Sequence, residues 1–487
     1  PDEETWTITL KPLAQGTLAP IDFRSPDKYL NRDIAAIFDS LLLSSISCDH
    51  TFFGNNPYRH ASATFATHFP MRGFMITDKR SWSETQGDLD DRWNNHIRRT
   101  LNEGRISPGR LTAMMCSGVW QDRCGALSPD YGCTISGGLW VTAACLQLLK
   151  TGDMKFADEI LPDLEQILRA YDNFDPDNDG LLESPIPGTP DSPASNYNDN
   201  ICIGHKDGHM NAIAHEAMNI FASLSKNLGR NDLHSEFTQR AMKLKLAYNE
   251  QLWDNQNNHY VGWIDVTGKP HDAWYTMTNF PAVSTGIPTP EMGKRLMESF
   301  LEHPRHHSIF AAGVNLDPPE KGDIRRWGGH GNQKALADLD DFGIWLNGGV
   351  FLGYVHYEII SRARICGGEN CWQMFKDIVN QFRKDNLCGD SVFDMMQMSG
   401  TALHEVSEGM DPRLLFSGKN AYTWARGPEP EGVGTEPYLS DGGAILWGLY
   451  TGIFGIEPDF QGLTLSPHVP SELSGTELSI RLMGKHL

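Results

Sequence analysis

The sequence predicts a mainly helical protein made of antiparallel helical hairpins, with short β segments at its two ends. Helix–turn–helix units recur without a shared sequence period, which favours a closed toroid over a solenoid of repeats. Strand-like alternation is confined to TWTITLKPL near the start and to IEPDFQGLTLSPHVP and ELSIRL near the end. We therefore divide the chain into an N-terminal strand-containing segment (1–30), a helical domain (31–455) and a C-terminal β segment (456–487).

The helical prediction depends on apolar periodicity and on glycines between apolar segments. In NAIAHEAMNIFASLSKNLG the apolar residues repeat at helical spacing at Ala212, Ile213, Ala217, Ile220, Phe221 and Leu224. Gly229 follows where a C-cap belongs, and Asp232 is the predicted N-cap of DLHSEFTQRAMKLKLAYNEQLW. The same pattern pairs SGGLWVTAACLQLLKTGD with FADEILPDLEQILRAYDNF, and NGGVFLGYVHYEIISRA with CWQMFKDIVNQFRKDN. GGAILWGLYTGIFG is the last predicted helix.

Composition limits the class of protein. The chain has 487 residues, 40% of them hydrophobic, with a formal net charge of -21. A chain of this size can bury a large core, and its acidity argues against nucleic-acid or anionic-membrane partners. No apolar run is long enough to span a bilayer. The chain begins at Pro1, as expected after removal of an N-terminal segment, and the compartment and oligomeric state stay open.

The nine cysteines are scattered and odd in number, which does not describe a disulfide scaffold. Cys116 with Cys124, or Cys366 with Cys371, would pair in an oxidising compartment. We favour the interpretation that these cysteines are buried free thiols.

A long polar stretch, DNFDPDNDGLLESPIPGTPDSPASNYNDN, covers residues 172–200 between two predicted hairpins. Its position between helical segments favours a functional loop over a linker. Asp175, Asp177, Asp179 and Gly180 match the start of a calcium loop, D-x-D-x-D-G. That loop also needs a bidentate Glu at its twelfth position, which here is Ile186. We therefore favour a turn-forming role for these residues over calcium binding.

Acidic side chains in two separate loops suggest glycosidic-bond hydrolysis, which needs two carboxyl groups across a cleft. The 172–200 loop supplies Glu183, Asp191 and Asp199. The later stretches LHEVSEGMDPRLL and GVGTEPYLSDGG supply a second set: Glu405, Glu408, Glu436 and Asp441. Two such loops, each between helices, are the arrangement that this cleft requires.

Tryptophans at the borders of the loops favour a carbohydrate ligand, because sugar rings stack on aromatic faces. They lie beside Gly, Asp, Asn or Arg: Trp120, Trp140, Trp263, Trp327, Trp345 and Trp424. We expect Trp140 and Trp345 to form stacking walls. The predicted substrate-binding set is Arg72, Trp140, Glu183, Trp327, Trp345 and Glu436.

Histidines in GHKDGHMNAIAHE are candidate metal ligands. His205 and His209 would share a helix face, with His215 nearby. No Cys or acid completes a zinc set around them, so we predict neither a metal nor another cofactor.

Several motifs resemble those of the six-hairpin glycosidases, the inverting clan that includes trehalases, mannosyl-oligosaccharide glucosidases and rhamnosidases. They are D-x-D-G-L-x-E-S, D-S-P, LGRND, NEQLWD, SGGLW before TGD, RW followed by WLNGG, LHEVSEGMDP, and the closing SDGGAILWGLYTGIFGIEPDFQGLTLSPHVP. The resemblance runs over most of the chain from about residue 30.

The resemblance implies an (alpha/alpha)6 catalytic barrel over residues 31–455, with the active site where the loops converge. Asp191 is the counterpart of the general acid of the glucosidase and trehalase motif, whereas Asp199 matches a D-W-x-D-like motif of phosphorylases and rhamnosidases. The implied base is Glu405, with Glu408 and Glu436 as alternatives. The leading prediction is an inverting glycoside hydrolase.

Two other enzyme classes stay open. An inverting phosphorylase of the same fold would bind phosphate in place of the water-activating base, through Arg325 and Arg326 or the histidine cluster. A polysaccharide lyase is less favoured, because it would need cationic neutralisation of a uronate by a strongly acidic chain.

Overall fold

The computed structural model describes residues 23–45, 62–63, 71–73, 75, 89–105, 120–121, 134–190, 192, 194–196, 201–304, 315–320, 322–324, 347–348, 352–384 and 442–487. Helices dominate these residues, which confirms the mainly α prediction. They are α1 (Lys28–Ser45), α2 (Leu89–Arg105), α3 (Ser136–Thr151), α4 (Met154–Arg169), α5 (Gly208–Asn227), α6 (Asn231–Gln251), α7 (Thr276–Ser284), α8 (Pro290–Glu302), α9 (Val355–Cys366), α10 (Gly368–Lys384) and α11 (Gly442–Trp447). A π-helix, Gly448–Ile453, continues α11, and short 3-10 turns occupy Ala170–Phe174, Leu352–Tyr354 and Ser471–Leu473.

The strands are short and mostly pair locally. They are β1 (Phe23–Arg24), β2 (Ser62–Ala63), β3 (Trp120–Gln121), β4 (Lys206–Asp207), β5 (Trp253–Asp254), β6 (His259–Tyr260), β7 (Trp263–Ile264), β8 (Pro270–His271), β9 (Ile456–Asp459), β10 (Gly462–Leu465), β11 (Glu477–Leu478), β12 (Arg481–Leu482) and β13 (Lys485–His486). β4, β7 and β8 form a three-stranded antiparallel sheet. β1 pairs with β11, with Phe23 opposite Leu478, so the start of the described chain is bound to its end.

Three predicted helical hairpins are confirmed: α3 with α4, α5 with α6, and α9 with α10. Their turns use glycines with positive φ, at Gly152 (φ 68°), Gly229 (φ 71°) and Gly367 (φ 86°). The predicted N-cap at Asp232 is wrong, because α6 begins one residue earlier, at Asn231. Asp232 lies in the first turn instead, where its negative charge interacts favourably with the helix dipole.

Side-chain caps explain where other helices begin. Asp153 accepts a hydrogen bond from the Phe156 amide at the start of α4. Thr289 does the same for the Met292 amide, and Pro290 occupies the first position of α8, where its fixed φ suits the helix.

The helices form an inner series with outer partners. α3 packs on α5, α5 on α7, α7 on α9, α9 on α11, and α11 on α1. The second helix of each confirmed hairpin packs against the first. A single cluster of buried apolar side chains runs through the described residues.

The structure bears on the predictions about the terminal strands, the domain boundaries and membrane-spanning helices. β9, β10, β11 and β12 lie in the stretches predicted as C-terminal strands, whereas TWTITLKPL lies outside the described residues. The domain boundaries stay predictions, and α1 begins at Lys28, inside the predicted N-terminal segment. Among the described helices, none has the length and apolar character needed to cross a membrane.

The described residues include some of the cysteines. Cys366 and Cys371 are free thiols, as are Cys145 and Cys202. Cys116 and Cys124 lie outside the described residues.

Candidate active site

Long connections gather at one end of the inner helices, because each of them leads into an inner helix. Backbone hydrogen bonds join these connections: the Thr134 amide donates to the Ser195 carbonyl (2.7 Å), and the Gly208 amide donates to the Gly262 carbonyl (3.0 Å). The Leu316 amide completes the series with a bond to Ala273. We call this region the loop layer, and it comprises the described parts of residues 134–135, 170–207, 252–275, 315–324 and 347–348.

The 172–200 loop, which we call the acidic loop, enters this layer through a tight turn at residues 175–180. The Asp177 carboxylate accepts a hydrogen bond from the Asp179 amide (3.2 Å), and the Asp179 carboxylate accepts one from Leu181 (2.9 Å). Asn178 and Gly180 have positive φ angles of 59° and 100°. The aspartates therefore act as turn formers, as favoured from the sequence.

Lysine side chains supply the positive charge for this turn. Ligand oxygens of the three aspartates, Asp175, Asp177 and Asp179, lie within 4.8 Å of one another. The Lys243 ammonium lies 2.8 Å from Asp175, and the Lys206 ammonium binds Asp179 and lies 3.6 Å from Glu183. Burial alone lowers the pKa of Lys206, but the hydrogen bond and charge of Asp179 outweigh it and raise the pKa.

The far part of the acidic loop is bound to the start of α5 by Asp207. Its buried carboxylate accepts hydrogen bonds from the Ser195 hydroxyl (2.6 Å) and the Asn196 amide group (3.1 Å). It also accepts the backbone N–H groups of His209 and Met210 as the N-cap of α5. Burial raises the pKa of Asp207 despite these four bonds. This carboxylate thus fixes the chain immediately before residues 197–200.

A buried histidine of the loop layer lies between two carboxylates. The two ring nitrogens of His271 lie 2.9 Å from carboxylate oxygens of Asp265 and Asp323. The ring stacks on Trp263, with centroids 4.5 Å apart and planes at 3°. The Trp263 indole donates to the Gly188 carbonyl (2.8 Å), which ties the sheet to the acidic loop.

A polar cluster lies among the inner helices. The Arg72 guanidinium binds the Glu216 carboxylate (2.7 Å) and packs over the rings of Tyr357 and Trp447. The Tyr357 hydroxyl donates to the other oxygen of Glu216 (2.5 Å). Burial alone lowers the pKa of Arg72, but Glu216 outweighs it and raises the pKa. Arg72, predicted to bind substrate, therefore remains charged and is held by Glu216.

Glu216 is not among the site residues predicted from the sequence, although a signal for it is present. It lies three or four residues from Ala212, Ile213 and Ile220, so it falls on the apolar face of the predicted helix. A charge on such a face needs a buried partner, and Arg72 is that partner.

Two of the predicted tryptophans are buried in the described structure. The Trp140 ring is 1% exposed and belongs to the core cluster, and Trp263 is fully buried. Packing accounts for both rings, and the stacking role of Trp140 stays a prediction.

The remaining predicted site residues are placed as follows. Glu183 lies 3.6 Å from both Lys206 and His205, so it belongs to the charged turn region. His209 and His215 are buried, and burial lowers their pKa values to about 3 and about 4. Asp191, Asp199, Arg325, Arg326, Trp327, Trp345, Glu405, Glu408 and Glu436 lie outside the described residues.

Comparisons with known proteins agree with this architecture. Residues 134–315 match the model of the mannosylglycerate hydrolase MGH1-like glycoside hydrolase domain. A GH63 mannosylglycerate hydrolase of Thermus thermophilus, solved with glucose, superposes with a TM-score of 0.54 and 14% identity, covering 85% of this chain and 99% of that one. The chain is thus similar over residues 134–315 to a glycoside hydrolase domain, and its fold is similar to that of a GH63 hydrolase. This confirms the resemblance predicted from the sequence motifs.

Two further similar proteins extend the comparison. A GH78 family rhamnosidase of Bacillus sp. GL1 has a TM-score of 0.54 and 16% identity, covering 96% of this chain and 40% of that one. The N,N'-diacetylchitobiose phosphorylase of Vibrio proteolyticus is 19% identical over 363 residues, which cover 71% of this chain and 41% of that protein. This chain therefore spans less than half the length of that phosphorylase.

Proposed function

We propose that the chain is the catalytic (α/α)6 barrel of an inverting glycoside hydrolase that cleaves an oligosaccharide or glycoside. One observation carries the proposal: the acidic loop lies within the region that matches a glycoside hydrolase domain, and it is bound into the loop layer. The series of six inner helices, α3, α5, α7, α9, α11 and α1, supports a closed barrel with this layer at its mouth.

In the proposed mechanism, Asp199 or Asp191 protonates the glycosidic oxygen. The flanks of Asp199 are anchored on both sides, by Asp207 at residues 195–196 and by Asp323 and Ile324 at residues 201–202. Such anchoring suits an acid that must hold one geometry relative to the scissile bond. Its pKa must also be raised, and burial or a neighbouring carboxylate would do this.

The proposed base is Glu405, which activates the attacking water from the opposite face of the sugar, with Glu408 and Glu436 as the alternatives. In an inverting enzyme the two carboxyl groups lie about 6.5–9.5 Å apart, which leaves room for that water. The proposed substrate-binding residues are Arg72, Trp140, Glu183, Trp327, Trp345 and Glu436. We expect the sugar at Arg72 to be uncharged, because Glu216 already neutralises the Arg72 guanidinium.

A phosphorylase is the second candidate, because the relative from Vibrio proteolyticus is one. Arg325 and Arg326 directly follow Ile324, which pairs with Ile201 at the edge of the acidic loop. Two arginines at that position would suit a phosphate that replaces the attacking water.

A screen of the purified protein on assorted oligosaccharides and aryl glycosides, with and without inorganic phosphate, tests the proposal. We expect release of free sugar at a rate independent of phosphate. Formation of a sugar 1-phosphate only when phosphate is present would replace the hydrolase with the phosphorylase. Cleavage that yields an unsaturated uronate product would show a lyase, and both proposals would fall.

A further inference from the structure

The pair of carboxylates around His271 joins the β7–β8 hairpin to the segment at residues 322–324, which is distant in sequence. Asp265 lies in the turn after β7, His271 lies in β8, and Asp323 lies just before Arg325. All three side chains are nearly inaccessible to water: His271 is 0% exposed and each aspartate is 3% exposed. A buried ionic triad of this kind holds its segments firmly, because separating one member leaves the others desolvated and unpaired.

The backbone of Asp323 and Ile324 connects this triad to the end of the acidic loop. Its carbonyl accepts a hydrogen bond from the Cys202 amide (2.9 Å), and Ile324 bridges to Ile201. Residue 201 is two positions after Asp199. Two contacts therefore link His271 to the backbone near Asp199. The His271 ring contacts the Asp323 side chain, and the Asp323 carbonyl binds the Cys202 amide.

We propose that His271 is a positioning residue: its imidazolium, held between Asp265 and Asp323, clamps residues 323–324 against residues 201–202 and so fixes the end of the acidic loop. The catalytic part of this inference rests on the proposed glycosidase function, whereas the clamp itself does not. His271 touches neither substrate nor reacting atoms in this account. Its effect on the rate comes through the geometry of the loop.

The charges around His271 predict how the clamp responds to pH. Burial alone lowers the pKa of His271, but the adjacent carboxylates of Asp323 and Asp265 outweigh it and raise the pKa. Asp265 stays ionised, because bonds from Thr267 and His271 outweigh burial and lower its pKa to about 2. Lys269 and Glu320, an exposed ion pair, and the buried Tyr275 also face this region.

The sign of the effect follows from the direction of the shift. A histidine whose folded pKa is raised contributes its full stabilisation below its unfolded pKa, about 6.5. That contribution is lost as the pH rises through the raised, folded value. The neutral ring can donate to only one carboxylate, so the other is left facing a lone pair. The clamp is therefore closed at acidic pH and loosens as the pH rises through the raised pKa of His271.

Hydrogen–deuterium exchange followed by mass spectrometry tests the clamp directly. In His271→Gln, we expect the peptide that contains Cys202 to exchange about tenfold faster or more, equivalent to ~1.4 kcal/mol of local opening free energy. The α5–α6 hairpin should keep its wild-type protection. His259→Gln is the matched control, because His259 is a buried histidine whose carboxylate partner is Asp272 (2.8 Å) and not Asp323.

The wild-type protein provides a second test, which does not depend on a variant folding. Its protection at Cys202, normalised to α5–α6, should be constant at low pH and fall above the pKa of His271. In Asp323→Asn, which removes one charge but keeps the shape, that protection should be low at every pH. Wild-type protection at Cys202 in both variants, or an equal loss in His259→Gln, would overturn the clamp.

Kinetics separate this inference from the proposed function. On any substrate that the screen identifies, His271→Gln should lower kcat about tenfold or more with a smaller change in KM, and should flatten the alkaline limb of the pH profile. Unchanged kcat and pH profile, together with lost protection at Cys202, would overturn the positioning role. If no glycoside is cleaved by the wild-type protein but protection is lost as expected, the clamp stands and the proposed function falls.

Discussion

The two ends of the inner helices are stabilised in different ways. At the turn end, residues 152–153, 228–230 and 367 connect the hairpin helices through glycines with positive φ. At the loop end, buried charges such as Asp207 and His271 hold the long connections together. Backbone conformation is sufficient to reverse a chain between helices. Buried charges are costly to place, but they hold irregular segments in one geometry, as a catalytic site requires.

The largest expected effect falls at the loop end. Replacing the true acid, Asp199→Asn or Asp191→Asn, should lower kcat about 10²–10⁴-fold on natural oligosaccharides. The loss should be much smaller on activated aryl glycosides, whose leaving groups need no protonation. Glu405→Gln should affect both kinds of substrate alike, with partial rescue by azide. Steady-state kinetics on matched substrates measures all three variants.

The control for these variants is Asp232→Asn, an exposed acid in the first turn of α6, which should leave kcat unchanged. Full activity of both Asp199→Asn and Asp191→Asn on natural substrates would remove the acid from this loop. It would then have to be sought among Asp338, Asp340 and Asp341.

At the turn end we expect a large effect on stability and none on chemistry. Gly152→Ala places a Cβ atom in a left-handed residue 2.6 Å from the backbone of Met483. Conformational strain and overpacking should together destabilise the fold by ~2–5 kcal/mol. Gly229→Ala is the matched variant, because its φ is 71° but a Cβ there meets no atom within 4 Å. It should cost only ~1–2 kcal/mol.

Denaturant unfolding of the two variants measures this difference. Equal destabilisation would mean that the contact of Gly152 with the C-terminal segment is unimportant. A fall in the kcat of folded Gly229→Ala would contradict the separation of the two ends.

The smallest expected effect concerns the turn at residues 175–180, where lysine ammonium groups bind the aspartates that a metal ion would otherwise bind. In Lys206→Met, three clustered carboxylates lose a positive neighbour, so millimolar calcium should raise the melting temperature of this variant. Wild-type protein should show a smaller rise or none. Lys245→Met is the control, because Lys245 binds the Gly286 carbonyl and not the aspartates. An equal rise in wild-type protein would mean that the native turn binds calcium.

The sequence was sufficient to predict the hairpins, because their signals are local. Apolar spacing and a glycine between two segments identify a helical pair without knowledge of the rest of the chain. The error at Asp232 has the same origin: α6 begins at Asn231, after Arg230, which makes no side-chain cap. A better capping residue nearby does not determine where a packed helix starts.

The arrangement of the loop layer could not be predicted in the same way. The β4–β7–β8 sheet and the pairing of Ile201 with Ile324 bring His271 and Asp323 together. Neither pairing produces a periodic pattern in the sequence. Trp140 and Trp263 have loop-border sequences, yet they are buried. A border position therefore does not separate a binding platform from a core residue. The interior charge of Glu216 was recognisable, but its partner Arg72 was not.

We propose that this helical domain cleaves a glycosidic bond with inversion, through a carboxylate in each of two loops. Proton NMR of a freshly started reaction, on the best substrate from the screen, tests it most directly, because the anomeric signal of the first product appears before mutarotation. We predict that the first anomer formed has the configuration opposite to that of the cleaved bond. A first product with the same configuration as the substrate would contradict the account, because it requires a covalent intermediate and carboxylates about 5–5.5 Å apart.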